Sequence, residues 1–318
     1  MRSSLIYIAR RVGTSAAMML VLSLVLFVVI EREVPGNEAS ILAGNGATPA
    51  KVHLIEVHLG LTRPILLQYF TWLGHALQGN LGISPISGLK VTSVIAQQAP
   101  VSLELALLGL VVATLIGIPI GLAAGILNGS RWDVLLRIPF LVMYALPFFV
   151  SGALLLLGAS KYAPSIYSST YVSFGSDPAG NLRAMVLPAI AVGLPVAGLL
   201  VQMTRATVAE VLTQPYIVTA RAAGLPRWRL YGIYTLKAAS LPILSLEGFL
   251  FGLLIGGVVV IEDVFSLPGL GRGLLNSIGN RDFIELEAEV LVIAATFVVG
   301  NLLADLAAPI IDKRITSG

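Results

Sequence analysis

The sequence predicts an all-α polytopic membrane protein of six transmembrane helices, with a small extracytoplasmic subdomain between the first and the second. Three observations predict it. Of 318 residues only 12% are charged and 56% are hydrophobic, with a mean hydropathy of +0.90. A soluble domain carries about a quarter charged residues, whereas side chains that face lipid need no polar cover. Six apolar segments approach the roughly 20 residues that cross a hydrocarbon core. Lysine and arginine are sorted unevenly among the connections. Cysteine is absent, which excludes disulfides and thiolate metal sites, and no basic patch interleaved with aromatics points to nucleic acid. His53, His58 and His75 share one polar region. The five-residue step between the first two does not align ligands on one helix face, so they read as surface or structural residues and no metal site is expected.

The first span runs from about Tyr7 to Ile30 and ends at Glu31-Arg32-Glu33. Arg10 and Arg11 ahead of an apolar run suggest a secretory leader. The run is too long for one, and no small-x-small cleavage site precedes the charges, so it reads as a retained span. Leu103 to Leu127 is the second, closed by Asn128-Gly129-Ser130. Val134 to Leu157 is the third, kinked or broken by Pro139 and Pro147. The fourth covers Ala184 to Met203 and contains Pro188 and Pro195; the fifth covers Leu241 to Ile261 and contains Glu247; the sixth covers Val290 to Ile311.

Six spans put both termini on one side. The connections on that side hold 12 Lys/Arg against 8 on the other, and their clear acids are only Asp133, Glu210 and Asp312. The other side carries Glu31, Glu33, Glu38, Glu56 and the cluster Asp282, Glu285, Glu287, Glu289. Both termini are therefore expected in the cytoplasm. The division that follows is 1–30 for the first helix, 31–99 for the extracytoplasmic subdomain, 100–311 for a core of five helices, and 312–318 for a cytoplasmic tail. Within 31–99, LIEVHLGL and PILLQYFTWLGHAL read as two short amphipathic helices split by Thr62-Arg63-Pro64, packed on the mouth of the bundle.

The cytoplasmic connection 206–240 is longer than antiparallel spans require. Its segment Ala220 to Pro242 carries Arg221, Arg227, Arg229 and Lys237 and no acid. Tyr216 to Ala223 predicts a helix stopped by Gly224 and Pro226. A second amphipathic stretch follows, with Trp228, Leu230, Tyr231, Ile233, Tyr234 and Leu236, before re-entry at Leu241-Pro242. A short helix presented endwise suits a groove on a soluble partner. The same basic edges and aromatics suit an interfacial helix lying on anionic headgroups.

Thr219-Ala220-Arg221-Ala222-Ala223-Gly224-Leu225, followed by Leu241-Pro242, resembles the EAA loop of ABC importer permeases, in the form of the dipeptide/oligopeptide/nickel branch. HLGLTRPILLQYFTWLGHALQGNLGIS, EDVFSLPGLGRGLLNSIGNRDF and DLAAPIIDKRI resemble, in family order, three further stretches of the B-type permease subunit of that branch. The resemblance implies a type I ABC importer permease architecture in the inner membrane of a prokaryote. It implies a homologous second permease, two ATPase subunits or one fused ATPase, and an extracytoplasmic solute-binding protein. ATP and magnesium would then be held by the ATPase subunits, with no cofactor on this chain, and no GxxxxGK run followed by Ser or Thr occurs in it. Ala220 to Leu225 would form a coupling helix seated in an ATPase cleft, with Thr219, Ala220, Arg221, Ala222, Ala223, Gly224, Leu225 and Pro226 as the ATPase-coupling residues. Trp228 would be either a partner anchor or an interfacial aromatic. The chain departs from the family pattern at Val218, Ala223, Ala238 and Asp312-Lys313-Arg314.

The cargo this implies is di- or oligopeptides, with nickel or other metal complexes, glutathione or another small solute as the alternative. An ionisable residue within a span costs about 2.5–3.5 kcal/mol on insertion scales and marks a functional candidate. Glu247, beside Gly248, is the clearest. Either it faces the translocation path and attracts a cationic group such as a peptide amino terminus, or it bonds across helices to Ser245 or a partner residue. Glu104 reads as structural. Gly248, Gly252, Gly256 and Gly257 follow small-xxx-small spacing, expected to meet the partner permease or a moving neighbour. The turn Phe265-Ser266-Leu267-Pro268-Gly269 would, by the resemblance, be an outer gate or a docking lip for the binding protein. An ion-coupled secondary transporter should show two related halves with broken helices, and no such symmetry is visible.

Overall fold

The computed structural model describes residues 2–33, 39, 43–44, 46–167 and 170–311. The sequence motif at Asp312-Lys313-Arg314 and the 312–318 tail lie outside them, as does the side chain of His58. The helices are α1 (Arg2–Glu33), α2 (Pro49–Leu59), α3 (Ile65–Leu77), α4 (Val91–Ile126), α5 (Arg131–Ala145), α6 (Phe148–Tyr162), α7 (Pro164–Tyr167), α8 (Pro178–Val211), α9 (Pro215–Ala222), α10 (Leu236–Val264), α11 (Leu270–Asn280) and α12 (Phe283–Ile311). No strand occurs among the described residues; Ile83 and Lys90 form one isolated bridge.

Among the described residues five helical stretches are long and apolar enough to cross a membrane: Ile8–Ile30, Val91–Ile126, Pro178–Val211, Arg229–Val264 and Phe283–Leu303. α5 and α6 together make a sixth, bent by 108°. The bend falls at Pro147. The residue before it, Leu146, is extended (φ −83°, ψ 134°), as the proline ring demands of its predecessor. Pro139, Pro188, Pro195 and Pro242 lie inside continuous helices, so of the expected breaks in the third span only Pro147 makes one. α4 starts at Val91, well before the expected span, so the polar segment passes into the bundle within a helix.

The most extensive helix contact joins α4 to α8, and its sequence basis is a ladder of small residues. Gly109, Ala113, Gly117, Gly121 and Gly125 recur every four residues on α4 and are all buried. They face the bulkier Val192, Leu200, Thr204 and Val208 of α8, again at multiples of four. A methyl group at Gly117 would lie 2.8 Å from the Cβ of Leu200, and one at Gly125 would lie 2.6 Å from Val208. Close approach of this kind supplies van der Waals contact where lipid removes the hydrophobic drive between helices. In α10 two of the glycines meet neighbouring helices of this chain. Gly252 receives the ring of Phe297 and Gly257 that of Phe148, both within this chain, while Gly256 faces open space.

We call the end where α1 begins the near end and its opposite the far end. α2 and α3 are the two helices expected around Thr62-Arg63-Pro64, α2 closing at Gly60 in a left-handed conformation (φ 75°). α3 packs on the far half of α1. Tyr69 is buried there, its hydroxyl 2.9 Å from that of Ser23, with Phe27 and Trp72 in ring contact.

Candidate functional site

At the near end α8 runs into α9 through a three-residue link. Gly224 (φ 78°) follows α9, and its N–H donates to the Arg221 carbonyl while that of Leu225 donates to Ala220 (3.1 and 3.2 Å). These two bonds satisfy the last carbonyls in the Schellman pattern, and Pro226 prevents the helix from resuming. Ile217 and Leu230 are fully or nearly fully buried and tie the loop to the bundle. Tyr216, Val218, Thr219, Arg221, Ala222, Ala223, Gly224, Pro226, Arg227 and Trp228 are exposed, and Ala220 and Leu225 are half-buried. The Arg229 guanidinium lies 5.0 Å from the Trp228 ring centre. The projecting face is therefore apolar and basic, with no acid between residues 214 and 242.

The second amphipathic stretch is not a separate helix, and the chain runs through Leu241-Pro242 without a break. Arg229–Thr235 is a π-helical turn continuous with α10. Gly232 sits within it, and the buried Thr235 hydroxyl donates to the Leu230 carbonyl (2.8 Å), bridging the same five-residue step. The loop thus joins a spanning helix without a break.

Beside the loop, Asp133 is buried in the first turn of α5. Its carboxylate meets Arg137 Nε at 2.8 Å and Arg205 Nη2 of α8 at 2.7 Å, and accepts the Gly129 N–H. Arg205 also donates to Asn128, and Arg137 to Gln202. The cluster clamps the α4–α5 turn onto α8 less than two turns before that helix gives way to α9.

In mid-bundle, Glu247 is half-buried and Gly248 buried. Thr114 of α4 donates its hydroxyl to Glu247 Oε1 at 2.8 Å, whereas Ser245 is exposed.

At the far end α10 closes on Ser266 in a left-handed conformation (φ 56°), and the Leu267 N–H returns to the Glu262 carbonyl (2.8 Å). Leu267 and Gly269 are buried, Phe265 half-buried, Ser266 and Pro268 exposed. The fully buried Glu262 side chain accepts the N–H groups of Gly271 (2.7 Å) and Arg272 (3.3 Å), and so satisfies two of the orphan donors at the N-terminus of α11. Gly271 abuts Val259, and Gly269 abuts the Glu262 carboxylate itself; only glycine lets the two helix ends approach so closely. Ser102 of α4 accepts from Leu270 (2.8 Å), and Ser277 donates to the buried Glu289 (2.9 Å). A cavity of about 760 Å³ opens between α4, α11 and Tyr171. Burial first, and the adjacent Glu104 carboxylate second, hold the Tyr171 phenol above its ordinary range.

The candidate residues thus form three separate groups: 219–228 at the near end, Glu247 and Gly248 inside, and 265–269 at the far end. Sequence reasoning missed the Asp133 clamp, the buried Glu262 and Glu289, and the α4 ladder. The ladder's four-residue period was readable. The clamp joins residues 72 apart and left no local signal.

Fold and surface define a multi-pass membrane protein whose longest near-end connection projects a helix away from the bundle. The profile of the family described as "Binding-protein-dependent transport system inner membrane component" matches residues 117–317. That described as "Binding-prot-dependent transport system membrane comp, N-term" matches residues 4–106. The chain belongs to the binding-protein-dependent transport system inner membrane component family, and is a multi-pass inner membrane subunit of such a system. It is similar to a putative peptide transport system permease protein of Brucella suis biovar 1, 35% identical over 308 residues, covering 97% of this chain and 98% of the relative. A probable peptide ABC transporter permease protein of Sinorhizobium fredii is 31% identical over 310 residues, 98% and 99% of the two chains. The dipeptide transport system permease protein DppB of Escherichia coli is 32% identical over 335 aligned positions, 97% and 98% of the two chains.

Proposed function

We propose that this chain is one half of the translocation pathway of an ATP-driven, binding-protein-dependent peptide importer. The observation that carries the reading is α9, a short helix stopped by a Schellman turn and exposing Arg221, Gly224 and Trp228. The relatives named as peptide permeases support the cargo. A homologous permease completes the pathway, and two ATPase subunits, or one fused ATPase, hold ATP and magnesium. A solute-binding protein delivers peptide at the far end, which is extracytoplasmic, and the subdomain within 31–99 frames that mouth. Both termini are cytoplasmic. The 12-to-8 bias of basic residues supports this orientation.

In this reading the coupling residues 219–226 and Trp228 sit in an ATPase cleft. Closure of the ATPases pulls α9; the Asp133 clamp carries the pull to α4 and α5, and the π-turn carries it to α10. Glu247 lies on the path with Gly248. The turn 265–269 is the outer gate or the lip that meets the binding protein. The test is reconstitution of the complete complex in proteoliposomes with peptide-loaded binding protein. Peptide uptake that requires ATP supports the proposal; uptake by this chain alone, driven by an ion gradient, refutes it.

A further inference from the structure

We propose that Arg272 and the far-end cavity bind the C-terminal carboxylate of the incoming peptide. The inference rests on the peptide-importer reading and names the group recognised at its mouth.

The cavity of about 760 Å³ is of the size that holds a small ligand. No Asp or Glu lines it, and Arg272 is its sole charged lining residue. Around the guanidinium stand neutral groups able to donate or accept: Ser93 and Gln97, four apart on α4, Gln98, Asn276 and Tyr171. Asn276 is four residues beyond Arg272 and shares its face of α11.

Arg272 is placed by the backbone around it. Its own N–H is held by the buried Glu262, and its Nη1 donates to the Ser266 carbonyl at 2.7 Å. The guanidinium is half-buried, and among the described residues no carboxylate pairs with it. Arginine presents five donors in a planar fork that matches a carboxylate, so a pinned fork with spare donors, in a cavity with no acid among its lining residues and Glu104 standing behind Tyr171, selects an anionic, planar group. The cavity sits at the end where a delivered peptide arrives, and its remaining polar lining suits peptide amides rather than a second charge.

Glu247 serves a different stage. It lies fifteen residues before Glu262 on α10, about 22 Å along the axis at 1.5 Å per residue. An extended dipeptide spans roughly 7 Å, so one dipeptide cannot touch both groups. The carboxylate is caught first at the mouth and the amino terminus meets Glu247 deeper in.

The test uses the complete complex with its binding protein in proteoliposomes, and compares uptake of di- and tripeptides with uptake of their C-terminal amides. Each is supplied at saturation of the binding protein. The readout is the acid-to-amide rate ratio of the wild type divided by that of a variant, so the binding protein's own selectivity cancels. Losing one charge-assisted contact predicts a quotient of about ten for Arg272→Gln, with Arg272→Lys between one and that value. An unchanged ratio in Arg272→Gln overturns the proposal. So does an equal loss for acids and amides, which would assign Arg272 to contact with the binding protein or to the loop's own structure. If the wild type takes up neither acids nor amides, the peptide reading itself fails.

Discussion

The carboxylate of Asp133 on α5 lies 2.7 Å from the Arg205 guanidinium on α8, with the Arg137 Nε 2.8 Å away on its other oxygen. The aspartate side chain is only 2% exposed, while the arginines keep about a quarter of their surface in contact with solvent (27% for Arg137, 23% for Arg205). Removing one partner of such a group leaves a charge unpaired, which costs up to about 3–5 kcal/mol when burial is complete and less here, where both guanidiniums reach water. A double-mutant cycle of Asp133→Asn with Arg205→Gln on thermal stability should give an interaction of about 1–3 kcal/mol. Additive effects would dissolve the clamp.

The α4–α8 ladder predicts a different failure. Gly117→Leu places a side chain where Leu200 already sits, and overpacking of this sort costs about 1–3 kcal/mol. The purified complex should melt earlier. Gly256→Ala meets no atom of this chain within 4 Å, so a lowered melting temperature there would report contact with the partner permease.

Glu262 holds the far-end turn together. Glu262→Ala strands the buried Gly271 N–H and the half-buried Arg272 N–H, at about 1–3 kcal/mol. Hydrogen exchange at these two amides should accelerate while exchange in mid-α8 does not. Unchanged protection would mean that Gly269 to Arg272 is held by Ser102 and packing alone.

Glu247→Gln keeps an acceptor for the Thr114 hydroxyl and removes the charge. If the charge draws in a peptide amino terminus, uptake of free-amine peptides falls about tenfold relative to their N-acetylated forms. Equal effects on both would leave Glu247 as a cross-helix hydrogen-bonding residue only.

The spans were legible because hydropathy over 20 residues depends on no tertiary partner. The stop after α9 was legible because glycine tolerates the left-handed turn at 224 and Pro226 forbids continuation, both local effects. Pro242 misled: a proline reads as a boundary, yet here it lies seven residues into α10, with the π-turn before it carrying the chain in without a break. Pro139 misled in the same way. Glu247 was singled out by its charge, but its partner, Thr114, is 133 residues away and only packing brings them together. Glu262 went unnoticed because nothing local announces a glutamate whose role is to cap a helix that starts eight residues later.

The central claim is that α9 transmits ATPase closure to the spans. It is tested most directly in nanodiscs, by measuring ATPase activity stimulated by peptide-loaded binding protein for the wild type and for Gly224→Pro with Arg221→Glu. Proline at 224 fixes φ near −65° and removes the N–H bonded to the Arg221 carbonyl, and the glutamate reverses the charge on the exposed face. The wild-type complex should be stimulated, and the variant, still inserted with its partner permease, should not. Stimulation of the variant equal to wild type would show that this loop lies on the membrane surface and that coupling runs elsewhere.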